Sequence, residues 1–124
     1  MCISKQELIQ RIRALQPGTV IPKPEASGDF VVKGIGRRSE QDALVYLIPN
    51  HEAASKPYQK GVTIREWESA YDRLATTGEL TRRWFDANLT RCASEGSCKF
   101  TTVGGIFSLL GIAFHDRPGI YRAL

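Results

Sequence analysis

Cysteine is scarce in this 124-residue chain, and Cys2, Cys92 and Cys98 cannot all pair, so they read as thiols rather than a disulfide framework. Five residues separate Cys92 from Cys98, wider than the knuckles of most zinc ribbons, and His51 and His115 are the only imidazoles. No metal and no cofactor is expected. Long apolar runs are missing too: the best stretch, residues 103–114, is broken by Gly104, Gly105 and Gly111 and falls short of the ~18 residues that span a bilayer. The first seven residues form a polar helix start rather than a charged leader with an apolar segment, so a cytoplasmic protein without a membrane partner is the expectation. There is no repeat of fixed period and no low-complexity tract. Gly34-Ile35-Gly36 lacks the third glycine and the Lys-Ser/Thr pair of the nucleotide fingerprints, and reads as a bend in a strand.

What is present suits a folded core. Hydrophobic residues make up 42% and charged residues 24%, with two Trp, four Tyr and five Phe, which excludes disordered and fibrous classes. The length fits a single domain, 1–124. Net charge is +4, compatible with an anionic partner. Lys and Arg outnumber Asp and Glu nine to six over residues 1–62 and eight to seven over 63–124, so neither half is a basic tail.

The pattern predicts an α+β protein. Ser4 and Glu7 have capping-box spacing and open a helix with a Leu8, Ile12, Leu15 stripe, stopped by Pro17-Gly18. Pro22 and Pro24 mark an extended connection, with a short edge strand at 19–21. Residues 29–37 and 42–49 are strand-like and form an antiparallel hairpin around a polar turn. Residues 49–61 show no periodicity and read as a loop. Thr63 and Glu66 make a second capping box before a helix carrying Trp67, Ala70, Tyr71 and Leu74 and ending at Gly78. Further helices are expected at 80–89 and from 101 or 102 to 110, the latter pressed into a core by Val103, Ile106, Phe107 and Leu110. Strands at 112–115 and 120–123 flank the turn Asp116-Arg117-Pro118-Gly119.

Residues 1–62 thus form a helix-plus-hairpin subregion, and 63–124 three helices followed by a hairpin. That order and length resemble the winged-helix family. The resemblance implies that the helix at 101–110 occupies the recognition position and that Arg117 lies at the wing tip. That helix offers Thr101, Thr102 and Ser108 as polar residues, whereas base reading uses Arg, Lys, Asn or Gln. Phosphate contacts through Arg82, Arg83, Arg91, Lys99 and Arg117, with Arg37 and Arg38 at the hairpin tip, are therefore the expected mode of binding DNA or RNA. The leading expectation is a non-enzymatic regulator or adaptor that binds nucleic acid through its backbone. Two alternatives stand beside it: a protein-interaction module, and a small hydrolase or ribonuclease built on His51, His115 and the arginines, or on Cys92 or Cys98 as nucleophile.

Overall fold

Ser4 Oγ accepts a hydrogen bond from Glu7 N at 3.1 Å and starts helix α1, Lys5–Arg13, which buries Leu8 and Ile12. Glu7 turns to Arg11 at 3.5 Å instead. The computed structural model describes residues 3–26 and 28–124; Cys2, expected as a thiol, lies outside them. Past Pro17-Gly18, Val20 makes a single antiparallel bridge to Val31 rather than a strand.

Strand β1, Val31–Arg38, and strand β2, Gln41–Ile48, form the expected hairpin. Ser39 and Glu40 turn the chain with φ of 51° and 62°, the two left-handed positions of a two-residue hairpin loop. The register shifts between Val32 and Gly34, and Gly34 takes φ 132°, so the glycine does bend the strand. The reading of 49–61 as loop is corrected at its end, where β3, Tyr58–Thr63, pairs antiparallel with β2 to give a sheet of order β1-β2-β3. Its sequence, YQKGVT, carries no alternation because only the last three residues are buried.

Helix α2, Ile64–Thr77, has both halves of its capping box and ends at Gly78 with φ 81°. Four helices and a strand, not three helices, occupy residues 64–111. Leu80 belongs to β4, Glu79–Thr81, and Thr81 caps α3, Arg82–Asn88, by accepting from Trp84 N at 3.1 Å. A separate short helix, α4, Thr90–Glu95, precedes α5, Lys99–Leu109, which starts two residues earlier than its apolar stripe suggests. Strands β5, Ala113–Arg117, and β6, Ile120–Ala123, join β4 in a second antiparallel sheet of order β4-β6-β5. Among the described residues no helix is long and apolar enough to cross a membrane.

One apolar cluster joins both halves of the chain: Leu8, Ile12, Ile21 and Leu44 meet Trp67, Phe85, Phe100, Phe107 and Tyr121. Phe85, rather than Trp84, is the inward aromatic of α3. Helix α5 is enclosed on nearly every side, with Lys99, Phe100 and residues 102–107 buried. Its two glycines permit this. A Cβ on Gly104 would overlap the Tyr121 ring, and one on Gly105 would strike the Pro22 carbonyl.

Candidate functional site

The stiff tripeptide Pro22-Lys23-Pro24 carries a lysine across the start of α5. Lys23 Nζ donates to Cys98 O at 3.0 Å, Thr101 Oγ1 at 2.9 Å and Thr102 Oγ1 at 2.8 Å, and lies 4.1 Å from the centroid of the Phe30 ring. Arg82 approaches from α3. Its backbone N–H donates to Gly119 O at 2.9 Å, its Nη1 donates to Ser97 O at 3.1 Å, and its guanidinium sits 4.9 Å over the Phe100 ring. Between these groups lies a cleft of about 650 Å3, whose walls include Lys23, Arg82, His115, Cys98, Thr101 and Glu25.

The cleft is electropositive by construction. Lys23 and Arg82 meet at the positive end of the α5 dipole, and no acidic residue lies in the first turn of that helix. Burial, opposed by Cys98 and reinforced by the Arg82 charge, holds the Lys23 ammonium down at about 8. Because this folded value lies below that of a free lysine, the unfolded chain binds the extra proton between about pH 8 and 10.5, and Lys23 makes stability rise with pH across that window. Lys23→Met should remove this rise, seen as a smaller slope in the difference between variant and wild-type urea curves from pH 8 to 10.5. An unchanged slope would show that Lys23 is solvated like a surface lysine.

The described thiols and imidazoles lie in separate surroundings. Cys92 is buried, and burial pushes its thiol up to about 12. Cys98 Sγ lies 3.5 Å from the Tyr46 hydroxyl. His115 packs edge-on against Tyr121, 5.2 Å between centroids, while His51 lies on the β2–β3 connection, away from the cleft walls. Among the described residues no cluster of three His, Cys, Asp or Glu side chains is arranged to hold a metal ion.

Of the seven basic residues singled out in the sequence, one, Arg82, lines this cleft, and two more stand on segments that adjoin it. Arg82 lines the cleft, Arg83 follows it on α3 with an exposed side chain, and the Arg82–Gly119 backbone bond brings up the β5–β6 turn that carries Arg117. Arg117 makes a long, exposed pairing with Asp116 at 3.8 Å, worth little. Three others surround Glu95 instead. Arg38 donates to Glu66 and Glu95, each at 2.5 Å, with its side chain 12% exposed; Arg91 pairs with Glu95 at 3.4 Å; and Lys99 is 1% exposed. The Arg38 guanidinium bond draws the Glu95 carboxyl down to about 2. Arg38 and Lys99 therefore point inward and do not present their charges to a polymer. Arg37, the seventh, pairs with Asp42 at 2.9 Å.

Lys23 escaped the sequence reading, although a cation between two prolines is held on a segment with little freedom to move away. No known protein family, curated protein or solved structure matches this chain.

Proposed function

We propose that this chain is a single-domain, non-enzymatic adaptor whose residues 63–124 form a winged-helix-like module that binds nucleic acid through phosphates. Support for the module comes from the order α2, β4, α3, α5, β5, β6 and from the β4-β6-β5 sheet, with α4 as an insertion before the third helix. In such a module α5 would be the reading helix, yet it is enclosed by the core and by Ile21 and Pro22. Base reading by α5 is therefore left out of the proposal. The observation that carries the reading is the bond from Arg82 N to Gly119 O, which joins Arg82 to the turn that carries Arg117, in a cleft shared with Lys23 and His115. Cations converging from three separate segments suit a phosphate backbone.

Fluorescence-anisotropy titration of labelled DNA and RNA of unrelated sequence, at several salt concentrations, tests this. Affinity should fall with salt by a slope of about −0.9 per duplex phosphate neutralised, with little dependence on sequence. Replacing Arg82 and Arg83 by Ala should weaken every probe about equally and flatten the slope by up to about 2. Arg37→Ala, at the hairpin tip, should change little. Absence of binding at ~50 mM salt would remove the reading and favour a protein partner. That second reading draws on β5, an edge strand of its sheet on which Phe114 is 41% exposed.

A further inference from the structure

The basic residues that turn away from the surface have a common destination. A cleft of about 300 Å3 beside Glu95 is walled by Arg37, Arg38, Lys60 and Lys99, and Glu95 is the one carboxylate among its lining residues. Glu66 backs Arg38 from behind. Arg37 is matched by Asp42 at the rim, and against Glu66 and Glu95 the remaining Arg38, Lys60 and Lys99 are in excess, with polar atoms incompletely matched. Arg38 spends Nη1 on Glu66 and Nε on Glu95, but its Nη2 is buried without a partner. Lys60 Nζ donates to the Glu95 carbonyl.

Lys99 is the most exacting member. Its side chain is 1% exposed, and its hydrogen bond, to Glu95 Oε2, is 3.4 Å long, whereas Arg38 Nε holds the same oxygen at 2.5 Å. An ammonium has three donors, and no second acceptor for Lys99 is found among the described residues. Lys99 also opens α5, where the helix dipole is positive and no acidic residue offsets it. A charge so withdrawn from water requires close compensation, and Glu95 is shared among three cations.

We propose that this cleft binds a small phosphate-type dianion, as the free ion or as a monoester, with Lys99, Lys60 and Arg38 as its ligands. Cations arriving from β1, β3 and α5 surround a tetrahedral group better than a planar one. The volume exceeds that of the ion alone, and the neutral lining of Val45, Gln59 and Gly61 leaves room for a short organic substituent. Arg82, Arg83 and Arg117 take no part, so this site stands apart from the nucleic-acid proposal.

The test is thermal unfolding and calorimetric titration of the full chain with inorganic phosphate and with methyl phosphate, against sodium chloride at matched ionic strength. Wild type should show a saturable rise in Tm with the phosphates beyond the chloride effect. Tighter binding of methyl phosphate would indicate a monoester; tighter binding of inorganic phosphate would indicate the free ion. Lys99→Met, which fills the same space without the charge, should abolish the response, and Lys60→Gln should weaken affinity by roughly tenfold or more, the loss of one charge-assisted contact. Arg11→Ala, a surface change on α1 outside this cleft, should respond as wild type does. Equal shifts with phosphate and chloride would overturn the proposal, as would wild-type affinity in Lys60→Gln, which decides the matter even if Lys99→Met fails to fold.

Discussion

Phe107→Ala should lower the unfolding free energy by about 3 to 5 kcal/mol, the cost of removing a buried ring and leaving a cavity that the neighbours cannot close. The side chain is fully buried and lies 5.7 Å from Trp67, centroid to centroid, where α5 meets α2. Collapse is restricted because the backbone of α5 is already in contact on other sides, at Gly104 with Tyr121 and at Gly105 with Pro22. Urea denaturation followed by tryptophan fluorescence measures the loss as a lower midpoint at unchanged slope. A midpoint equal to wild type would mean that the α2–α5 contact is loosely packed.

Glu66→Gln should cost about 3 kcal/mol, although it alters a single atom. Glu66 Oε1 accepts from Thr63 N at 2.9 Å and from Arg38 Nη1 at 2.5 Å, and the Arg38 and Glu66 side chains are 12% and 14% exposed. Gln retains an acceptor for the helix cap but cannot neutralise the guanidinium, and an uncompensated buried charge costs about 3 to 5 kcal/mol. The lower end applies because Arg38 keeps Glu95. Arg38→Met combined with Glu66→Gln should recover most of the loss, since the cap acceptor is kept while removing both charges also removes the desolvation penalty. Equal destabilisation by the single and double variants would instead assign the effect to packing. Chemical denaturation of the three proteins at pH 7 distinguishes the two.

Much of the fold was legible where local chemistry and tertiary contact agree. Thr63, Glu66 and Gly78 mark α2 by capping alone, and Asp116 to Gly119 mark the last turn. Strand β3 was hidden because its first residues are exposed and its pairing with β2 comes from across the sheet. Helix α4 was hidden because six residues are too few for a period to register. The candidate site was harder to read. Arg82 and Arg117 are 35 positions apart, and the bond from Arg82 N to Gly119 O that brings their segments together involves no motif. Lys99 did carry a signal: it stands four residues before Val103 and so falls on the inward stripe of its helix, a position that a charge alone made look external.

The Lys23 clasp on α5 also bears on the order of events during synthesis. Its bond to Thr101 closes a separation of 78 residues. A ribosome adding about 5 to 20 residues per second needs about 4 to 16 s to deliver the second partner after the first. Until then Ile21 and the nascent hairpin have no α5 to cover, and their apolar faces stay open to water or to a chaperone. The two halves interlock too late for either to mature alone, so the chain should gain protease resistance in one late step rather than in two.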